Sequence, residues 1–338
     1  MEKLLGKTLD ELKQAAAGCG LKPFVGKQLA EWMYVKRVTS WDGMTNIGKA
    51  AKAALAERFE IGASAPLGAA LSSDGTKKYL FSACGTSAVE AVMIPDGERR
   101  TLCVSSQAGC KMGCKFCMTG RQGWHGNLEP AEILNQFLSI DDPAGLTNAV
   151  FMGMGEPMDN YPAVERVIEV LTADWGFAWS PKRITVSTIG VLPTLKKFLD
   201  GQHCHLAVSL HNPFPAERLE MMPVEKAWHL EDVIGLVRQY DFSGQRRVSF
   251  EYTMFAGFND DKRHADALIR LLRGLECRVN LIRFHRIPDF PYECASDASM
   301  QLFRDRLNNN GIVCTIRTSR GEDILAACGM LAGQHSQQ

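Results

Sequence analysis

Residues 101–120 read TLCVSSQAGCKMGCKFCMTG. The opening TLCVSS (101–106) is apolar and β-branched enough to predict a buried strand. Cys110, Cys114 and Cys117 follow it in CxxxCxxC spacing, so the thiols fall in a loop just past a strand end. Three thiols at this density suit zinc or an iron–sulfur cluster. A closed zinc site uses four protein ligands, so zinc would have to recruit His125. A cubic cluster held by three thiolates leaves one iron open to bind something else. Cys103, upstream of the run, belongs to neither ligand set.

Outward from this stretch the pattern is α/β. Strand-like runs NAVFM (148–152), RITVS (183–187), HLAVSL (205–210), RVSFEYTMF (247–255), RVNLIRF (278–284) and VCTIR (313–317) follow it. Amphipathic helical segments near 129–140, 161–172, 192–200, 229–240, 260–273 and 296–309 alternate with them. Such βα repetition predicts a parallel sheet covered by helices, closed or partly closed into a barrel. In such barrels chemistry gathers at the C-terminal ends of the strands. Upstream, LGAALSS and KKYLFSA flank Asp74-Gly75, a hairpin signal, and AVEAVMI (88–94) continues the period of two. Residues before about 60 are helical in pattern: Thr8 and Glu11 form a capping box before Leu9, Leu12 and Ala16, and Gly18 and Gly20 end that helix. A second helix is expected from Pro23 through Met33 and a third from Asn46 to Phe59. Three segments result: 1–62 helical, 63–97 a β extension, 98–338 the barrel.

The 338 residues carry 38 Lys plus Arg against 38 Asp plus Glu, which removes any argument for nucleic-acid binding from bulk charge. Basic pairs (Lys77-Lys78, Arg99-Arg100, Lys182-Arg183, Lys196-Lys197, Arg246-Arg247) read as solvated surface or as a local RNA-facing patch. A hydrophobic share of 46% supports a sizeable core, and no apolar run is long enough for a membrane span. MEKLLGKTLDELKQ is too polar for a signal peptide, so a cytoplasmic location is expected. In a reducing compartment the eleven cysteines form no disulfide framework. Cys19, Cys84, Cys204, Cys277, Cys294 and Cys314 read as small buried hydrophobes.

Further motifs stand at predicted strand ends: FMGMGEP (151–157), VSTIG (186–190) and SLHNP (209–213). Glycines let backbone approach a ligand closely, and Glu156 can accept from an ammonium or a ribose. Ser187 and Ser209 could equally be satisfied capping residues.

CxxxCxxC with Phe116 before the last cysteine resembles the radical S-adenosylmethionine (SAM) superfamily. From about residue 4 to 332 the chain is similar to the RlmN/Cfr family of radical SAM adenine methyltransferases. The resemblance rests on FVGKQLAEWMYVKRVTSWDGMTNI, CVSSQAGC with CKFC, GMGEP, STIG, SLHNP, VNLIR and GEDILAACG. It implies a partial (βα)6-type barrel with a small helical N-terminal domain and a β-hairpin extension. It implies a 4Fe–4S cluster on Cys110, Cys114 and Cys117, and SAM contacts at Gly155, Glu156, Ser187, Ser209, Leu210, His211 and His285, the last where Asn is common. Cys328 would carry a methyl group as S-methylcysteine, Cys103 would resolve the RNA adduct through a transient disulfide with it, and Glu90 would accept the ring proton. Two SAM would be consumed per turnover. Implied partners are 23S ribosomal RNA, transfer RNA for the RlmN branch, and a reductant such as flavodoxin or ferredoxin; a monomer is expected. C2 of adenine is the default target; VNLIR and STIGVLP look closer to the C8-modifying branch. A radical SAM activator of a partner protein and a zinc-stapled RNA-binding module are the competing readings.

Overall fold

The computed structural model describes residues 1–244 and 246–333. Its first segment is helical as patterned. Helix Leu9–Gly18 starts in a reciprocal capping box: Glu11 N donates to Thr8 Oγ1 (3.2 Å) and Thr8 N to Glu11 Oε2 (2.7 Å). Helix Phe24–Ala30 widens into a π turn at Glu31–Val35, and the third helix, Lys49–Ala56, is shorter than the pattern. Strand β1 (Glu2–Lys3) pairs in parallel with β2 (Phe59–Glu60), closing the segment on itself. Buried Tyr34 donates to Lys7 O (2.8 Å), accepts from Gly6 N (3.1 Å) and packs on Trp175. Ion pairs Arg166–Glu11 and Lys3–Glu129 fasten this segment against the barrel's first two crossover helices.

The β extension contributes β3 (Gly68–Leu71), β4 (Lys77–Ala83) and β5 (Ser87–Asp96), followed by β6 (Arg99–Cys103), β7 (Gln107–Gly109) and β8 (Trp124–Asn127). The remaining strands are β9 (Asn148–Phe151), β10 (Ile184–Thr188), β11 (His205–Ser209), β12 (Val248–Met254), β13 (Arg278–Arg283) and β14 (Val313–Ile316). Among the described residues one ten-stranded sheet runs β14-β13-β12-β11-β10-β9-β6-β5-β4-β3. From β6 to β14 neighbours are parallel, and β5, β4 and β3 add antiparallel strands at one edge. Helical crossovers cover the parallel part, so its strands bury both faces: Phe250, Tyr252 and Met254 on one face of β12 are fully buried, and Glu251 and Thr253 on the other are buried as well.

The outer strands β14 and β3 do not pair; residues 317–333 bridge the space between them. Asp323 accepts from Ser72 Oγ (2.6 Å) and Ser73 N (3.0 Å), and Gly321 N donates to Asp74 Oδ2 (3.0 Å). The turn at Asp74-Gly75 therefore makes the expected hairpin and also anchors the C-terminal segment. The cysteine loop hangs between β7 and β8, whose antiparallel pairing ties its ends. Gly109 has φ +71°, and a Cβ there would lie 1.9 Å from Gly123 O, so only glycine fits the neck of the loop.

Candidate active site

Cys110, Cys114 and Cys117 line one cavity at the C-terminal ends of β9 to β13. Gly155, Glu156, Ser187, Ser209, His211, Glu251, Arg317 and Cys328 share it, and Met112, Met152, Met222, Phe116 and Phe284 supply apolar lining. Its free space is about 160 Å3, below the roughly 300–1,000 Å3 of most small-molecule sites, so a bulky occupant requires these flexible side chains to withdraw. Burial pushes the Cys110 thiol up to about 12 and raises Cys114, with neighbouring acidic groups, other cysteines among them, adding to the burial effect. Thiols so placed give up their protons only to a cation, and a set of three sulfur ligands suits iron–sulfur chemistry. His125, required by the zinc alternative, is exposed on β8 and does not line the cavity.

The wall opposite is built by FMGMGEP and SLHNP. Gly155 has φ +96°, and its Cβ would fall 2.5 Å from Gln107 Cβ; that of Gly153 would fall 2.7 Å from Ser105 Oγ. These glycines thus admit the chain's own neighbouring segment, where the sequence pattern suggested a ligand. Gln107 in turn accepts from Glu156 N (2.8 Å). The buried Glu156 carboxylate accepts from Met158 N and Ile189 N, both at 3.0 Å, tying the end of β9 to that of β10. Burial raises it to about 7 even so. His211, at φ +55°, accepts from Thr253 N through Nδ1 (3.0 Å), which leaves the proton on Nε2. Burial, then the Arg218 cation, holds this imidazole neutral at a pKa of about 3. Arg218 is fully buried, pairs with Glu225, and donates to Leu210 O and Ser209 O, both at 3.1 Å. It fixes the strand end that presents Ser209 and His211.

The C-terminal segment is stitched to the cysteine loop. Met118 N donates to Gly329 O (2.8 Å), Thr119 Oγ1 to Leu331 O (2.7 Å) and Gln122 Nε2 to Ala332 O (2.6 Å). Cys328 is exposed to the cavity it lines yet surrounded by protein, so burial raises its thiol, and Arg317 opposes the rise. Cys103 lies behind the cavity wall at the end of β6, pushed up to about 12 by burial. The Cys328 thiol is therefore not preformed as a low-pKa nucleophile. Arg317 is close enough for both thiols to bear on its own titration, and it donates to Glu251 (3.4 Å). Glu251 is held by Asn280 Nδ2 and Ser249 Oγ, both at 2.8 Å.

Three expected residues stand elsewhere. Leu210 packs its side chain in the core and meets the site only through backbone. His285 lies in a neighbouring cavity, where its ring nitrogens meet Glu322 (2.9 Å) and Ser319 (3.1 Å). An imidazole reaches toward this C-terminal segment and is used up there. Glu90 does not line the cysteine cavity; it pairs with buried Lys78 (2.8 Å) and accepts from Ala332 N (2.7 Å) and Gly333 N (3.0 Å). Arg317 and Glu251 were not singled out from sequence, although an acid in the middle of the apolar run RVSFEYTMF is the kind of signal that marks a site.

The radical SAM superfamily profile matches residues 104–268, and that of the ribosomal RNA large subunit methyltransferase N-terminal domain matches residues 2–61. The probable dual-specificity RNA methyltransferase RlmN of Porphyromonas gingivalis is 57% identical, over 97% of this chain and 96% of its own length. That of Parabacteroides distasonis is 58% identical over 98% and 96%. The chain belongs to the RlmN family of radical SAM RNA methyltransferases. A more distant RlmN, the dual-specificity RNA methyltransferase of Syntrophus aciditrophicus, is 38% identical over 97% of this chain and 95% of its own. The crystal structure of a radical SAM methyltransferase from Sphaerobacter thermophilus superposes with a TM-score of 0.94 at 36% identity, covering 99% of this chain and all of that one. RlmN membership implies a 4Fe–4S cluster and SAM, and the cysteine cavity carries the donor chemistry for them. No described helix is long and apolar enough to cross a membrane.

Proposed function

We propose that this chain methylates C2 of an adenine in 23S ribosomal RNA and in transfer RNA, using Cys328 as the carrier of the one-carbon unit. The observation that carries this reading is the stitching of Gly329, Leu331 and Ala332 to the loop after Cys117, which holds Cys328 over the three cluster cysteines. When bound at Cys110, Cys114 and Cys117, a 4Fe–4S cluster with SAM supplies hydrogen abstraction from a methyl group, with a second SAM as methyl donor. Gly155, Glu156, Ser187, Ser209 and His211 line the cofactor's side of the cavity, with Leu210 contributing backbone alone. Neutral His211 offers a donor at Nε2, and Glu156 offers an acceptor.

Cys328 accepts the methyl as a thioether and joins the adenine through the carbon it carries. Glu90 accepts the ring proton, which requires residues 332–333 to leave its carboxylate. Cys103 then attacks the Cys328 sulfur as a thiolate; the sulfur–carbon bond breaks with its electron pair on the bridging carbon, which takes up a proton to become the methyl group, and a disulfide between the two cysteines remains. The base must be extruded from its stack to reach Cys328. Residues 1–62 form the docking domain for RNA, 63–97 the β extension and 98–338 the catalytic core. The electron donor is a small protein such as flavodoxin or ferredoxin, and the chain acts as a cytoplasmic monomer.

The test is Cys103→Ala expressed in cells. Protein covalently bound to RNA should accumulate, and Cys328→Ala should form none. Absence of any adduct from Cys103→Ala removes the mechanism. Nucleoside mass spectrometry of a deletion strain should show loss of 2-methyladenosine; loss of 8-methyladenosine instead moves the target to C8.

A further inference from the structure

Three cavities adjoin one another at Arg283 and Arg317, and two of them share Cys328. An outer cleft of about 900 Å3 lies between the turn at Ser72–Asp74 and residues 316–323. Beneath it is a cavity of about 310 Å3 lined by Arg99, Arg283, Arg317, Arg320 and Cys328. The third is the cysteine cavity, which shares Cys328 with the second. Arg283 and Arg317 line all three, so the cavities adjoin one another in a row from the surface to the cysteines.

The middle cavity has four arginines against a single carboxylate, Asp96, in a chain whose net charge is zero. Their existing partners are weak or displaceable. Arg99 is exposed and donates to the neutral amide of Asn148 (3.2 Å), and Arg320 stands 3.5 Å from exposed Asp96. Arg283 pairs with Asp297 at the surface, and Arg317 reaches Glu251 at 3.4 Å. In the outer cleft the acids are already engaged: Asp74 by Thr76 N and Gly321 N, Asp323 by Ser72 and Ser73, Glu322 by His285. A planar guanidinium presents a fork of donors that matches phosphate oxygens. The cavity is at the lower end of the roughly 300–1,000 Å3 range of ligand pockets, room for one extruded nucleotide and none for a duplex.

We propose that this arginine-ringed cavity is the seat of the target nucleotide: Arg99, Arg283, Arg317 and Arg320 hold the phosphates flanking the extruded adenine while the base reaches Cys328 at the inner wall. This rests on the RNA methyltransferase reading and adds to it a located strand path, carried by arginines of which only Arg283 falls within a family motif. A polyanion is recognised here despite a neutral chain because the cations are concentrated where the strand must bend inward. Asp96 restrains Arg320 until a phosphate replaces it.

The experiment is equilibrium binding of fluorescently labelled transfer RNA to the anaerobically prepared holoenzyme, as a function of salt. Neutralising one phosphate-binding cation should reduce the slope of log affinity against log salt by roughly 0.7–0.9. Arg99→Gln combined with Arg320→Gln should therefore lower the slope by about 1.5 and weaken binding about tenfold or more at low salt. Asp96→Asn should tighten binding, a gain that misfolding cannot produce. Arg270→Gln, an exposed cation on the outer helix Lys262–Leu272, serves as the remote comparison and should leave the slope as it is. An unchanged slope in the double variant, or an equal fall in Arg270→Gln, overturns the assignment. So does a defect confined to binding of an acidic electron-donor protein. If Cys103→Ala still traps RNA while the double variant keeps the wild-type slope, only this strand path falls. If Cys103→Ala traps nothing, the underlying reading falls first.

Discussion

Glu156 and His211 face the same cavity and are displaced in opposite directions by burial, so their effects on stability against pH oppose each other. Glu156 is raised from 4.5 to about 7, and His211 is lowered from 6.5 to about 3. Folded Glu156 keeps a proton that the unfolded chain releases. Its stabilising contribution is therefore complete below pH 4.5 and disappears as pH rises through about 7. Folded His211 stays neutral while the unfolded chain takes up a proton. Its contribution is complete above pH 6.5 and is lost as pH falls toward about 3. With each decade of proton affinity worth about 1.36 kcal/mol, each effect amounts to roughly 2 kcal/mol between pH 7 and 5, with opposite sign. The wild-type curve hides both. Glu156→Gln should lose about 2 kcal/mol more than wild type on going from pH 7 to 5, and His211→Asn should gain about 2 kcal/mol relative to wild type. Asn keeps an acceptor for Thr253 N and tolerates the left-handed backbone of position 211. His205 and His285, also lowered by burial, titrate in all three proteins and cancel in the differences. The assay is urea unfolding of reduced, metal-free protein followed by tryptophan fluorescence at intervals across this range. Parallel stability curves for the three proteins would refute the assignment of buried, oppositely displaced groups.

Arg218→Met strands the buried Glu225 carboxylate and should cost about 3–5 kcal/mol in urea unfolding, while Arg218→Met with Glu225→Leu should recover most of it. Equal losses in the single and double variants would mean that the pair's charge is not the issue. Gly155→Ala forces a Cβ to 2.5 Å from Gln107 at φ +96° and should cost about 2 kcal/mol or more, read as a lowered melting temperature. Glu90→Ala leaves Ala332 and Gly333 N–H without their acceptor; limited proteolysis with mass mapping should show faster cleavage after residue 324, and an unaltered rate would show that other contacts hold the segment.

Local rules made most of the architecture legible. The capping box at Thr8, the turn at Asp74-Gly75, and every strand of the parallel sheet lie where short-range periodicity and turn chemistry place them. Those signals involve neighbours in the chain, whose spacing already encodes the face they will bury. The CxxxCxxC run is local for the same reason: three ligands on one loop need no fold to bring them together. The two-residue pairing of Glu2–Lys3 with Phe59–Glu60 has no period to detect, and the pairing of β7 with β8 hides in a glycine-rich stretch.

What the chain alone determined was therefore the order of its elements and the chemistry of its cysteine loop. Tertiary closure decided the rest. It brought Cys328 across the gap between β14 and β3, placed Arg317 beside both that thiol and Cys103, and gathered Arg99 and Arg320 from distant segments into one cavity. It also turned His285 toward Glu322 and placed Glu90 under the C-terminal segment. Burial and long-range charge depend on which surfaces meet, and no spacing along the sequence records that.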